Sequence, residues 1–253
     1  MGVEVVHTGG VVIAMLAMLV LGLWAPRLWW RFTLRAPPVG ELVDFEDARY
    51  HVVEVSLEHS TVRLRRTEGG TRLRGPGIVR TNAGIFEPDF TPTGLLISGG
   101  RELHPISLQQ HGAGNFFLKP NGVFFVTATG AHVVETSEFR AEGVLEATQS
   151  GPLLLRAGVV HPSFKPGSSH RAIRNGVGVR RDGSVVLVIS RDEVSLFDFA
   201  AFFRDSLGCA DALYLDGVIS GLTVEGSDVD EDTGPFAAAI VVEPKVSAPP
   251  RPQ

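Results

Sequence analysis

Between Ser184 and Ser220 the chain reads as strand, helix and strand without a break, and this stretch constrains the fold more than any other. Ser184 to Ile189 (SVVLVI) is a β-branched apolar run and predicts a strand. Ser195 to Leu207 predicts a helix. Ser195 is placed as N-cap with Asp198 three residues on. Leu196, Phe199, Ala200, Phe203 and Leu207 form its apolar stripe, and Gly208 stops it. Ala212 to Ser220 (ALYLDGVIS) then predicts a short buried strand through Leu213, Tyr214 and Leu215 that ends on Asp216, with Gly217 letting the backbone turn. Strand, helix and strand within about thirty residues make a βαβ unit, whose strand carboxyl ends are where ligands are usually met. Asp216 therefore has two readings: a carboxylate facing a cleft, or an aspartate that only ties down its own turn.

The rest of the chain from Tyr50 onward reads mainly as strands. YHVVEVSL and STVRLRR alternate apolar and polar residues across Glu58-His59, the pattern of a hairpin. Ile78 to Phe86 is a short strand running into Asn82-Ala83-Gly84, where asparagine tolerates a left-handed backbone and glycine permits close approach. Asn115 to Phe125 (NFFLKPNGVFF) reads as a second hairpin about Lys119-Pro120-Asn121-Gly122. Gln149-Ser150-Gly151-Pro152 is a polar knuckle before another strand. Arg171 and Arg174 stand just ahead of the strand at Gly176–Val179, and Pro235 to Glu243 closes the domain. Strands far outnumber helices. The predicted fold is α+β, with a large mixed, mainly antiparallel sheet and few helices, spanning residues 45–244 after a linker at 36–44. The tail, 245–253, is predicted to be disordered.

Residues 1–35 carry a different signal. Thr8 to Pro26 holds no charged residue, Val11 to Leu23 is almost wholly apolar, and Trp24, Trp29 and Trp30 follow among Arg27, Arg31 and Arg35. This predicts one N-terminal membrane helix at the short end of the spanning range. The basic leader of a signal peptide is missing and Ala25 is followed by proline, which favours an uncleaved anchor over a cleaved segment. Arginines on the C-terminal side would by themselves keep the domain in the cytoplasm.

A net charge of −5 and no visible basic face argue against a nucleic-acid partner. One cysteine, Cys209, excludes an internal disulfide. There is no Walker loop, dinucleotide fingerprint, GxSxG elbow or paired-histidine metal spacing, so no cofactor and no metal are expected. Asp228, Asp230 and Asp232 alternate as in a calcium loop. Thr233 and Ala239, however, stand where glycine and glutamate belong, and a solvated acidic loop is the simpler reading.

Seven stretches, in order, resemble the phosphodiester glycosidase family: TNAGIF with PTGLLI, NFFLKPNGVF, ATQSGPLLL, IRNGVGVRRDGSVVLVIS, FAAFFRDSLGC, ALYLDGVIS and GPFAAAIVV. The family includes the uncovering enzyme, which removes N-acetylglucosamine from a sugar phosphodiester, and many bacterial extracytoplasmic members. The resemblance covers roughly residues 45–244. It implies a hydrolase acting on a sugar 1-phosphodiester or related envelope glycan, membrane-anchored through the N-terminal helix with its domain in the periplasm. The alternative is a non-catalytic glycan-binding or envelope-assembly module on the same fold. In the better-understood branch the aspartate motif runs Asp-Gly-Gly-Gly-Ser. Here Asp216, Gly217 and Ser220 match it, while Val218 and Ile219 replace two glycines. Carried over, the resemblance implies Asp216 as the carboxylate acting at the anomeric carbon and Arg174 as the cation neutralising the phosphate. It also implies Asn82, Gly84, Gln149, Ser150, Asn175, Gly217 and Ser220 as substrate-binding residues. Asp89 or Glu146 would supply a second carboxylate.

Overall fold

The computed structural model describes residues 40–217 and 219–245; the predicted membrane helix, the first four residues of the linker, Val218 and the tail after Lys245 lie outside the described residues. Three sheets carry the domain, and every strand pairing in them is antiparallel. The largest has seven strands: β1 (Glu41–Phe45), β2 (Ala48–Val55), β10 (Leu153–Arg156), β11 (Val159–Val160), β12 (Asn175–Arg180), β13 (Val185–Ser190) and β14 (Cys209–Asp216). Its spatial order is β1-β2-β13-β12-β14-β10-β11. A five-stranded sheet contains β3 (Ser60–Thr71), β4 (Val79–Asn82), β15 (Gly221–Val224), β16 (Asp230–Asp232) and β17 (Phe236–Pro244), in the order β16-β15-β4-β17-β3. The other contains β5 (Leu96–Ser98), β6 (Arg101–His104), β7 (Gly122–Thr127), β8 (Ala131–Glu135) and β9 (Val144–Ser150), in the order β6-β5-β9-β7-β8. The single large mixed sheet expected from the sequence is thus three antiparallel ones. Strand β1 falls inside the stretch read as linker, so the paired structure begins by Glu41.

The seven-stranded sheet is buried on both faces, and the period of two along its strands divides the apolar residues. Val185, Leu187 and Ile189 of β13, with Leu213 and Leu215 of β14, join Leu64, Phe124 and Ile240 in a core shared by all three sheets. Val186 and Val188, with Tyr214, face the other way, onto the helix α1 (Leu196–Ala201) and the phenylalanines that follow it. Strand β12 reads Asn-Gly-Val-Gly-Val for the same reason. A Cβ on Gly176 would meet the Phe199 ring at 3.1 Å, and one on Gly178 would meet Phe203 and Cys209 at 2.8 Å. The helix lies so close to the sheet that only glycine fits beneath its aromatic rings.

The predicted βαβ unit is present in a split form. β13, α1 and β14 are consecutive, and β13 and β14 both run antiparallel to β12, which sits between them. The cap of α1 is as the sequence predicts. The Asp198 amide donates to Ser195 Oγ at 3.1 Å, and the Ser195 amide donates to Asp198 Oδ2 at 3.4 Å. The helix then widens after Ala201, with the Leu207 amide donating to the Phe202 carbonyl five residues back. Phe202 and Phe203 are both fully buried, and this wider turn accommodates two adjacent rings against one core. Ser195→Ala removes one side of the capping box and should cost about 1 kcal/mol. Thermal unfolding should register this as a fall of about 2–4 °C in Tm.

Two hairpins do not form. β2 pairs with β1 and β13, whereas β3 leaves for another sheet and pairs with β17, so Ser56–Ser60 is a crossing between sheets. Asn115–Phe117 is a short helical turn, and β7 starts only at Gly122 and pairs with β8 and β9. Buried Asn121 explains the second case. Its Oδ1 accepts from Thr136 Oγ1 at 3.0 Å and its Nδ2 donates to the Phe116 carbonyl at 3.4 Å, so it anchors the segment to its neighbours. A hairpin tip would expose it.

Candidate functional site

Arg174 and Asn175 are adjacent at the start of β12, so their side chains leave on opposite faces of the sheet. Arg174 lies on the helix side and is only 6% exposed. Each of its three guanidinium nitrogens donates to the protein: Nε to the Val194 carbonyl at 2.8 Å, Nη1 to Tyr214 Oη at 3.2 Å and Nη2 to the His170 carbonyl at 3.0 Å. The guanidinium also stands 5.5 Å from the centroid of the Tyr214 ring. Tyr214 Oη accepts a second bond from Asn115 Nδ2 at 3.4 Å. Burial is the main cause that pushes the Tyr214 phenol up to about 12. Arg174 opposes the shift and the Asp216 charge adds to it. The group is therefore a neutral hydroxyl at neutral pH, held by the Arg174 guanidinium and the Asn115 amide.

Asp216 ends β14 two residues beyond Tyr214, across a bulge in the register with β12: Tyr214 pairs with Gly176, and Asp216 pairs with Asn175. Its Oδ1 accepts from the amides of Gly217, at 2.6 Å, and Ile219, at 3.4 Å. The carboxylate thus ties down its own turn, as the plainer reading of the sequence has it. It also remains partly exposed at the carboxyl end of a central strand. Gly217 is required by space: a Cβ there would lie 1.7 Å from Tyr214 Oη. Its backbone is not left-handed, so the close approach, and not the sharp turn the sequence suggested, makes it glycine.

On the inner face a buried polar network supports the same loop. Asn175 Nδ2 donates to Asn82 Oδ1 at 2.6 Å and to Thr81 Oγ1 at 3.1 Å. Asn175 Oδ1 accepts from the Asp216 amide at 3.0 Å, from Asn82 Nδ2 at 3.3 Å and from Ser220 Oγ at 3.4 Å. Asn82 Oδ1 also accepts from the Gly221 amide at 2.9 Å, and Ser220 Oγ donates to the Asp216 carbonyl at 2.8 Å. Asn82, Asn175 and Ser220 are each at most 2% exposed. Three strands and the aspartate loop are fastened together here, and the two amides satisfy each other and the main chain.

The remaining residues marked from the sequence are not all brought to this point. Ser150 Oγ donates to the Leu215 carbonyl at 2.8 Å, which places it directly behind β14. Gly84 packs against β9, where a Cβ would lie 2.2 Å from the Gln149 carbonyl, so its close approach is to protein. The Gln149 side chain turns toward the loop at Ser107. Its Oε1 accepts from the amides of Leu95 and Ser107, and its Nε2 donates to the Ser107 carbonyl at 2.8 Å and to Thr136 Oγ1 at 3.2 Å. The two suggested second carboxylates are elsewhere. Buried Glu146 accepts from the Leu64 and Gly99 amides and Arg63, docking one sheet on another. Asp89 is exposed and caps the Thr91 amide at 2.9 Å. Asp230–Asp232 is an edge strand, and Asp232 caps the Leu73 and Gly234 amides instead of opening a calcium loop.

Sequence reading missed Tyr214 and Asn115. The available signal for Tyr214 was its closeness in sequence to Asp216: it is a polar-tipped aromatic two residues before a strand-end carboxylate. Cys209 is buried, and desolvation pushes its thiol up to about 12. It should resist alkylation at pH 8 in the native state and react only once the protein is unfolded in denaturant.

A sequence profile described as phosphodiester glycosidase matches residues 76–243. The chain belongs to the phosphodiester glycosidase family. The uncharacterized protein YigE of Escherichia coli (strain K12) is 35% identical over 165 residues, a match spanning 65% of this chain and 65% of that relative's length. Among solved structures, the catalytic domain of zebrafish N-acetylglucosamine-1-phosphodiester alpha-N-acetylglucosaminidase, auto-inhibited by its pro-peptide, superposes with a TM-score of 0.59. It is 16% identical and the alignment covers 83% of this chain and 85% of that one. A putative exported protein of Burkholderia pseudomallei gives a TM-score of 0.54 at 13% identity, covering 78% and 74%. At these identities the structural likeness speaks for the fold. The matched range, residues 76–243, spans Asn82, Arg174, Asn175, Asp216 and Ser220.

Proposed function

We propose that this chain hydrolyses the glycosidic bond of a sugar 1-phosphodiester, with Asp216 as the carboxylate acting at the anomeric carbon. The observation that carries the reading is the placement of Asp216: it ends a central strand, in a loop braced by Asn175 from within and seated on Tyr214 from below. Water adds to the anomeric carbon as the bond from that carbon to the phosphate oxygen breaks. The phosphate monoester leaves with the bonding electrons, and the proton of the attacking water passes to a carboxylate. A phosphate leaving group is a weak base, so the step needs charge neutralisation more than a strong general acid. Asp216 serves as base toward water or as nucleophile, in the manner of glycosidase carboxylates. Arg174 contributes positive charge behind Tyr214. Asn82, Asn175 and Ser220 hold the loop, while Gly84, Ser150 and Gln149 fix the strands around it.

A second reading, a glycan-binding module without turnover, draws support from Arg174, whose three nitrogens are all engaged by the protein. The apolar N-terminal run is the basis for reading the domain as membrane-anchored, and the family resemblance is the basis for placing it outside the cytoplasm. The deciding experiment incubates the purified full-length chain with N-acetylglucosamine-1-phosphodiester and aryl phosphodiester substrates. Released sugar supports the hydrolase. Saturable glycan binding with no release supports the module.

A further inference from the structure

Lys119 is a half-buried cation that the structure leaves without a counter-charge. Its ammonium lies 5.0 Å from the centroid of the Phe116 ring and 5.7 Å from that of Phe117. Ring faces attract an ammonium but do not neutralise it. Among the described residues Lys119 makes no ion pair. Burial lowers its pKa from the ordinary lysine range, the direction expected of a partly desolvated cation with no anion beside it.

Lys119 lines a cavity of about 430 Å³ whose other polar walls come from Ser107, Gln110, Asn121, Thr136 and Ser137. That volume is in the range of small-ligand sites. The acidic residue on the wall, Glu135, is already held by Arg156 at 2.5 Å. Of the remaining wall groups, the Thr136 and Ser137 hydroxyls already donate to Asn121 Oδ1 and Glu135 Oε1, which leaves the Ser107 hydroxyl and the second amide hydrogens of Gln110 and Asn121 to donate to an anion or a sugar. The walls are also fixed from behind. Gln149 bonds both the Ser107 main chain and Thr136 Oγ1, and Asn121 Oδ1 accepts from Thr136 Oγ1. The segment carrying Lys119 is tied in turn to the aspartate site, since Asn115 donates to Tyr214 Oη and Phe116 lies under the Lys119 ammonium.

We propose that this cavity is a subsite for a phosphate-type anion, with Lys119 supplying the positive charge that Arg174, spent on internal contacts, does not present. The identity of the anion as the phosphate of a sugar phosphodiester rests on the reading under Proposed function; the anion site itself does not.

The chain has only three lysines, Lys119, Lys165 and Lys245, so reductive methylation with ¹³C-formaldehyde gives three lysine dimethylamine signals, beside that of the α-amino group, and all keep their charge. Lys119 is assigned by the signal missing in Lys119→Arg. Inorganic phosphate, N-acetylglucosamine 1-phosphate and neutral N-acetylglucosamine are each titrated into the full chain. The Lys119 signal is expected to move with both phosphates and not with the neutral sugar, while Lys165 and Lys245 stay in place. A shift with the sugar phosphate alone identifies a sugar-borne anion; a shift with both identifies a general phosphate site. Calorimetry should show Lys119→Met weakening sugar-phosphate binding by about tenfold or more, the usual effect of losing a charged hydrogen bond. Lys119→Arg should stay within about threefold, because it keeps the charge. A wild-type melting temperature for both variants separates binding from folding. An unmoved Lys119 signal while N-acetylglucosamine 1-phosphate binds, or unchanged affinity in Lys119→Met, overturns the proposal. Phosphodiester turnover with a silent Lys119 removes the subsite and keeps the hydrolase. A responsive Lys119 without turnover keeps the subsite and removes the hydrolase.

Discussion

Asp216→Asn should lower turnover by about 10³-fold on any phosphodiester the wild type hydrolyses, without unfolding the protein. The loss follows from charge. A positioned carboxylate acting on a proton or an oxocarbenium-like carbon contributes about 10²–10⁴ in rate, and a neutral amide performs neither role. The retention of fold follows from geometry. An asparagine Oδ1 can still accept from the Gly217 and Ile219 amides, and the main-chain bonds to Asn175 and Ser220 do not involve the side chain. Steady-state kinetics should show kcat and kcat/KM falling together with little change in KM, the sign of an interaction made in the transition state. Asp216→Ala should lose both the rate and the anchoring of the Gly217 and Ile219 amides, so its melting temperature should fall where that of the asparagine variant holds. A rate for Asp216→Asn within about threefold of wild type would remove Asp216 from the chemistry and leave it a loop anchor.

What could be read from the sequence was local. The capping pair Ser195 and Asp198, the glycine stop at Gly208 and the strand ending on Asp216 each depend on residues within a few positions, and each is found where expected. Partner choice between strands was not local, and there the reading failed. Nothing between Tyr50 and Arg66 announces that β2 and β3 enter different sheets, because both alternate properly for whichever sheet receives them. The strand inserted between β13 and β14 is equally invisible in the βαβ pattern, since β12 precedes both in the chain. The Lys119-Pro120-Asn121-Gly122 stretch has turn composition, yet Asn121 is buried and bonded to Thr136, a contact with a later part of the chain. The site shows the same division. Asn82, Asn175, Asp216 and Ser220 meet, but the alternation that sends Arg174 and Asn175 to opposite faces means that they do not converge on one pocket as a set.

Gly217→Ala tests which neighbour requires glycine in the aspartate motif. The new Cβ would sit 1.7 Å from Tyr214 Oη, 2.9 Å from Tyr214 Cζ and 3.4 Å from Arg174 Nη1. Tyr214 is fully buried with its oxygen bonded to Arg174 and Asn115, so it has no room to swing away. Overpacking of this kind costs about 1–3 kcal/mol, and this overlap belongs at the upper end. Tyr214→Phe should itself cost about 1–2 kcal/mol by leaving Arg174 and Asn115 without their acceptor. The double variant should be more stable than the sum of the two, by about 1–2 kcal/mol, because removing the oxygen relieves the worst contact while the 2.9 Å approach to Cζ keeps the rescue incomplete. Urea unfolding of the four proteins measures this coupling directly. Additive losses would mean that the loop moves off Tyr214 freely, and the glycine would then answer to something above the loop. Positive coupling would assign Gly217 to the support beneath Asp216. Bulky residues after Gly217 would then be compatible with an intact aspartate motif, because the close approach is made at Gly217 itself and from the protein side.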